Sequence, residues 1–247
     1  MNVFTYWERE KPNYINLCLA SIEKVCCEGG IRFILVTPEN LCNHLPDGVL
    51  HENYRLLPQP ALRADCIRAA LLATHGGWWW DADTVAIRPP NLLSEMYADA
   101  NALYMTWSNP PRRALNGYIY FPKEHPVARA WLNKINDLLR RNPEEASWCS
   151  LGEALLTDML NDCQDAREID RRLFLPIDID SSVATFFSEG DPQAYIEDDT
   201  VCFGLNHSWF MYHKPHDMEL APSRWVNSPL LIHQLLQYAR DMGGDSA

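Results

Sequence analysis

Gly76-Gly77-Trp78-Trp79-Trp80-Asp81-Ala82-Asp83-Thr84 sets two carboxylates one residue apart at the end of an apolar run. The segment before it, Ala61 to Thr74, has apolar residues at helical spacing, and the two glycines stop that helix. Trp78 to Ile87 then reads as extended, with Asp81 and Asp83 inside it. If one strand runs through Asp83, both carboxylates share a face, because residues i and i+2 of a strand point to the same side. Hard divalent cations such as Mn2+ or Mg2+ take oxygen ligands, commonly one or two carboxylates together with the phosphates of a substrate. Three tryptophans place the pair beside an apolar wall, where a charge is costly unless it meets a cation. The stretch is therefore, in outline, a metal and diphosphate site.

Working outward, Asn2 to Tyr6 is strand-like, and Pro12 opens a helical segment to Cys27 in which Ile15, Leu19, Ile22 and Cys26 recur at helical spacing. Ile31 to Val36 suits a buried parallel strand, and Thr37-Pro38-Glu39 reads as the cap of another helix. This is a β-α-β beginning. The carboxylates follow the third α/β crossover, and in open parallel sheets ligands gather beyond the carboxyl ends of strands. Leu103 to Trp107 and Tyr118 to Phe121 read as strands, Pro126 to Arg141 and Leu151 to Cys163 as helices, and Thr200 to Gly204 as a strand. Ser228-Pro229 caps a last helix that Gly243-Gly244 ends. Phe174 to Gly204, rich in turn and acidic residues, carries no other clear pattern.

Composition bounds the function. With 247 residues, 47% hydrophobic and 11% aromatic, the chain can bury a full core, and it reads as one domain, 1–247. The 33 acidic against 21 basic side chains leave a formal charge of -12, which repels nucleic acid and anionic lipid headgroups. An anionic substrate then needs a local metal or arginine. No apolar stretch approaches the roughly 20 residues of a membrane span, and the start lacks the basic region of a signal peptide, so the expected place is the cytoplasm with at most peripheral membrane contact. The eight cysteines form no CxxC pair and read as reduced, mostly buried thiols.

Asp65 and Arg68 stand at i and i+3 of the helix before the glycines. Such spacing fits a surface ion pair worth a few tenths of a kcal/mol. It also fits a carboxylate and guanidinium gripping neighbouring hydroxyls of a sugar. Ala64-Asp65-Cys66-Ile67-Arg68 followed by Gly-Gly-Trp-Trp-Trp-Asp-Ala-Asp resembles the central block of glycosyltransferase family 32 and the related capsular polysaccharide synthesis proteins. Looser echoes lie at Tyr6-Trp7, Leu17 to Ser21, Asn116-Gly117, His125-Pro126 and Gly152. The chain departs from the pattern at Ala64, where serine is usual, at Glu153, where proline is frequent, and at His207, which directly adjoins Ser208-Trp209.

The resemblance implies a GT-A fold, that is, a mixed, mainly parallel sheet flanked by helices. It implies a donor-side half, 1–110, and an acceptor-side half, 111–247. It also implies a retaining transfer of a hexose-type unit from a nucleotide-sugar donor, UDP-sugar foremost, to a glycan or lipid-linked glycan of capsule or lipopolysaccharide. Carried over residue by residue, Trp7 stacks on the base, and Asp65 with Arg68 grips the donor sugar. Asp81 and Asp83 hold Mn2+ or Mg2+ and the diphosphate, while His207 and Trp209 complete the metal and donor shell. Catalysis then rests on Asp81, Asp83 and Arg68. Two other readings stand beside it. Asp81-Ala82-Asp83-Thr84 also resembles the opening motif of haloacid dehalogenase-type phosphatases, with Asp81 as nucleophile. A nucleotide-sugar binder without turnover would keep the same residues.

Overall fold

A computed structural model describes residues 1–147, 149–218 and 222–243. In chain order the elements are β1 (Asn2–Tyr6), α1 (Asn13–Glu28), β2 (Arg32–Val36), α2 (Pro60–His75), β3 (Gly77–Trp80), β4 (Thr84–Ala86) and α3 (Asn91–Met96). There follow β5 (Ala102–Thr106), β6 (Ala114–Phe121), α4 (Pro126–Arg141), α5 (Glu153–Asn161), β7 (Ala166–Glu168) and α6 (Ile179–Phe186). The chain continues through β8 (Cys202–Gly204), α7 (His207–His213), α8 (Pro215–Met218) and α9 (Leu231–Gly243). Gly244, expected to share in stopping α9, lies outside the described residues.

These elements make two compact units. The first comprises Met1–Glu8, Ile34–Trp80 and Tyr97–Asp170; the second comprises Arg9–Phe33, Asp81–Met96 and Arg171–Ala247. The six-stranded sheet has the order β2-β1-β3-β6-β5-β7. β1 runs parallel to β3 and β5 parallel to β7, while β6 is antiparallel to both its neighbours, so the sheet is mixed. In the first unit α2, α4 and α5 pack on one another and on this sheet around Phe4, Trp79, Ile119, Phe121 and Trp131, all essentially buried.

The sharpest constraint on β3 comes from the glycines before it. Gly76 caps α2 at φ +65°, and a Cβ there would lie 2.2 Å from the backbone nitrogen of Lys123. At Gly77, φ is +111° and the same addition would meet the carbonyl oxygen of Asn2 at 2.6 Å. Only glycine fits both the backbone conformation and the approach. Trp78, Trp79 and Trp80 then enter the sheet fully buried, paired with Tyr120, Ile119 and Tyr118 across β6.

In the second unit β4 pairs antiparallel with β8, from Thr84↔Gly204 to Ala86↔Cys202. α1 packs on β4 and α9. Ser21 fixes α1 to β4: its Oγ donates to the Cys18 carbonyl at 2.7 Å and accepts the Ala86 N–H at 2.9 Å.

Three expectations are corrected. The extended run from Trp78 to Ile87 is two strands, β3 and β4, with Asp81-Ala82-Asp83 between them in a turn. The Thr84 hydroxyl donates to the Asp81 carbonyl at 2.6 Å, a local bond that competes with a sheet ladder. The strand argument for a shared carboxylate face therefore does not hold. Thr37-Pro38-Glu39 opens no α-helix: Asn40 Oδ1 accepts the Thr37 N–H at 2.8 Å and a single 3-10 turn, Leu41–Asn43, follows. The unassigned acidic segment contains α6, which Asp178 caps by accepting the Asp180 N–H. All eight cysteines are free, but only Cys18, Cys26, Cys66 and Cys202 are buried as expected; Cys27 and Cys42 are exposed, and Cys149 and Cys163 are partly so.

α9 carries a titratable group worth testing. His233 is buried, its Nδ1 lies 2.7 Å from the Ser228 hydroxyl, and its ring stacks near Trp225. Burial depresses its pKa, with Asp217 opposing weakly. The unfolded chain therefore binds the proton first as pH falls, so this contribution to stability is complete above about 6.5 and is lost below it. His233→Gln is expected to flatten the decline in the urea midpoint between neutral and mildly acidic pH.

Candidate active site

Asp65 and Arg68 are not a surface pair. Both are buried on α2, with Arg68 Nη1 3.2 Å from Asp65 Oδ1. The guanidinium carbon lies 4.6 Å from the ring centre of Trp79 on β3, a cation–π geometry that holds a planar cation in place. Asn116, on β6, donates from Nδ2 to Asp65 Oδ1 at 2.7 Å. The Gly152 backbone closes the other side. A Cβ on that residue would lie 2.0 Å from Asn116 Nδ2 and 2.9 Å from Asp65 Oδ2. Trp131 of α4 holds this turn by donating its indole N–H to the Leu151 carbonyl at 2.6 Å. The sequence showed Asn116 and Gly152 only as echoes of a motif; their roles emerge when β6 and the turn before α5 converge on α2.

Trp7, the expected base-stacking residue, follows β1, and its N–H donates to the Val36 carbonyl at 3.1 Å. Beside it in sequence, Glu8 receives a bidentate grip from Arg63, at 2.8 Å from Nε and 2.5 Å from Nη2. The Tyr6 hydroxyl also donates to Glu8, at 3.0 Å. Nothing in the spacing of Glu8 and Arg63 announces this pair, which depends on the fold bringing β1 to the start of α2. Glu8 and Arg63 side chains are only 11% and 18% exposed, so removing one partner strands the other. Arg63→Ala is expected to lower stability by about 2–3 kcal/mol, measured by urea denaturation. Glu8→Gln with Arg63→Gln should recover part of that loss.

Asp81 and Asp83 belong to the second unit and are half-buried. Asp83 Oδ2 accepts the His207 N–H at the start of α7, and the Asp83 carbonyl accepts the Leu205 N–H at 2.9 Å. The His207 ring meets the hydroxyl of buried Tyr14 through Nδ1. Burial, and after it the charge of Arg9, lowers the His207 pKa and favours the neutral imidazole that a metal ligand must be. Burial, and after it the charge of Asp83, raises the pKa values of the Tyr14 hydroxyl and the Cys18 thiol. Asp83 thus adds a negative charge to this neighbourhood, second to burial in its effect on both groups. Trp209 lies on α7, 42% exposed, and lines a cleft of about 470 Å3 with Asp180, Val183, Ala184, Phe187, His213 and Lys214. Neither Asp81 nor Asp83 lines that cleft.

Residues 1–136, more than half of the chain, match the family described as capsular polysaccharide synthesis protein. The chain belongs to this family. Among solved structures, a glycosyltransferase involved in glycosylation of the major capsid of PBCV-1 is 13% identical, with 89% of this chain and 98% of that one covered and a TM-score of 0.51. The galactosyltransferase LgtC, in complex with donor and acceptor sugar analogues, is 13% identical over 99% and 95% of the two chains, at a TM-score of 0.49. No curated protein sequence matches the chain. The capsular polysaccharide synthesis protein thus has the GT-A glycosyltransferase fold expected from its central block.

Proposed function

We propose that this capsular polysaccharide synthesis protein is a metal-dependent, retaining glycosyltransferase. In this reading it moves a hexose-type unit from a nucleoside-diphosphate sugar, UDP-sugar foremost, to a glycan or lipid-linked glycan acceptor. The observation that carries the reading is the burial of Asp65 beside Arg68. A stability role alone gives a fold little reason to bury a carboxylate and a guanidinium three residues apart, since apolar residues of similar volume do as well or better. Fixed donors and acceptors at that point fit the hydroxyls of a sugar, whose own hydrogen bonds they replace.

Trp7 takes the base, Asp65 and Arg68 the sugar, Asp81 and Asp83 the metal and diphosphate, with His207 and Trp209 completing the shell. Residues 1–110 are assigned to the donor and 111–247 to the acceptor. Asp81 and Asp83 would hold Mn2+ or Mg2+, which when bound would supply Lewis-acid stabilisation of charge on the departing diphosphate. Arg68, always cationic and held against Trp79, keeps its orientation through the reaction. Tyr14, pressed against His207, decides whether that ring keeps a lone pair on Nε2: when Nδ1 donates to the tyrosine oxygen, Nε2 is free to bind an ion.

No helix among the described residues is long and apolar enough to cross a membrane. A cytoplasmic protein touching the membrane peripherally at its acceptor is the corresponding expectation. The test is hydrolysis of a panel of nucleotide sugars with and without Mn2+, reading the anomer first released by NMR. Metal-dependent release with retained configuration supports the transferase. Nucleotide-sugar binding without release means a binder, and phosphate release from a phosphomonoester means the phosphatase.

A further inference from the structure

His125, Cys163 and Asp165 lie together in the first unit, apart from every residue given a role above. His125 precedes α4 and caps it, while Cys163 and Asp165 sit in the loop between α5 and β7. One ligand atom from each falls within 4.8 Å of the other two. His125 Nε2 is 3.5 Å from Asp165 Oδ1, and the Cys163 thiol donates to that same oxygen at 2.9 Å. The imidazole is 3% exposed, stacks on Phe121 at 5.0 Å, and turns its buried Nε2 into this cluster, where Asp165 is at 3.5 Å, longer than a good hydrogen bond. A buried nitrogen of this kind carries a desolvation cost until something binds it.

We infer that His125, Cys163 and Asp165 form a second metal site, one for a borderline divalent ion of the zinc class. The chemistry of the three donors selects the ion. Sulfur and nitrogen ligands favour Zn2+ over Mg2+ or Mn2+, which take oxygen. Bonds of about 2.0–2.3 Å to a common ion hold ligand atoms roughly 3–4 Å apart, close to the separations present. Thiolate and carboxylate together neutralise the ion. Binding releases the Cys163 proton that now bridges sulfur and oxygen. It also requires the His125 ring proton on Nδ1, which gives up the long 3.3 Å cap bond from the Val127 N–H and sets two donors face to face, a cost that the metal–nitrogen bond must exceed. Asn101 Nδ2, 3.2 Å from Asp165 Oδ2, already orients the carboxylate from behind. Asp165 is half-exposed, so an ion can enter and a water can fill the fourth position. An ion there would tie the start of α4 to the loop that begins β7.

The proposal does not depend on the transferase reading, and its test uses the metal alone. Protein stripped with a chelator, in a Cys27→Ser, Cys42→Ser background that removes the exposed thiols, is titrated with Co2+ as a spectroscopic stand-in. A thiolate-to-cobalt charge-transfer band saturating at one equivalent and bleached by Zn2+ is expected. The band should vanish in Cys163→Ala and in His125→Asn, the latter keeping a helix-capping side chain. It should persist in Asp83→Asn. Zn2+ should raise the melting temperature of the parent and not of Cys163→Ala. Absence of the band in the parent, or an undiminished band in Cys163→Ala, overturns the proposal.

Discussion

Asp83→Ala is expected to reduce Mn2+-dependent turnover of a nucleotide sugar by about 10³-fold or more, and to abolish the metal-dependent part of donor binding. Two consequences of the substitution must be separated. The first is chemical: the position loses the carboxylate whose negative charge, second to burial, helps keep Tyr14 and Cys18 protonated. The second is structural, because Asp83 Oδ2 also accepts the first N–H of α7 at His207, and an unmet donor there costs about 1–3 kcal/mol. Asp83→Asn divides them. Its amide oxygen can still accept the His207 N–H, so the melting temperature should stay near that of the parent, while the loss of charge should leave turnover as low as in the alanine variant. Calorimetry of donor binding with and without Mn2+, beside a hydrolysis assay, gives both readings. An Asp83→Asn protein that retains parental Mn2+-dependent turnover would remove the acidic pair from the mechanism.

The acidic pair was legible because its neighbours constrain it: glycines that only φ > 0 and close backbone approach explain, then three aromatic residues that must enter a sheet. What the pattern could not show is where the strand ends. Period-two reasoning runs on through Asp83 because alternation of polar and apolar residues looks the same in a strand and in the turn that joins two strands. The deciding element is the Thr84 hydroxyl on the Asp81 carbonyl, a side-chain bond that propensity does not register. Asp65 and Arg68 were legible as a pair but not as a buried one, since burial depends on Trp79, Asn116 and the turn at Gly152 arriving from three other segments. The long helices α1, α2 and α4 stand within a residue or two of their expected ends, α1 and α4 through their apolar stripes and α2, which is buried nearly all round, through the glycines that stop it. β7, three residues long and paired at a sheet edge beside β5, carries too few side chains to show any period. Likewise Glu8 and Arg63, more than fifty positions apart, form a pair that no local window contains.

Gly152→Ala is expected to lower kcat/KM by about 10²-fold while lowering stability by only about 1 kcal/mol, and the asymmetry follows from what the new methyl would strike. Its φ of -100° is not left-handed, so positive-φ strain is not what reserves the position for glycine. Its contacts do: the added carbon falls 2.0 Å from Asn116 Nδ2, 3.0 Å from Asn116 Cγ and 2.9 Å from Asp65 Oδ2. Those atoms end short side chains, which can turn away at less cost than a backbone can move, so the fold yields little. Turning away breaks the 2.7 Å bond from Asn116 to Asp65 and rotates the carboxylate that Arg68 also holds at 3.2 Å. A displacement near 1 Å at groups that position a reacting sugar is enough for a loss of that order. Asn116→Ala supplies the control. It removes the atom nearest to the new methyl, so Gly152→Ala should cost less stability in that background than in the parent, a coupling that a double-mutant cycle measures. Activity should not return in the double variant, because Asp65 lacks its amide partner in both. If Gly152→Ala leaves kcat/KM within twofold of the parent, the Asp65 carboxylate is not the group that orients the donor.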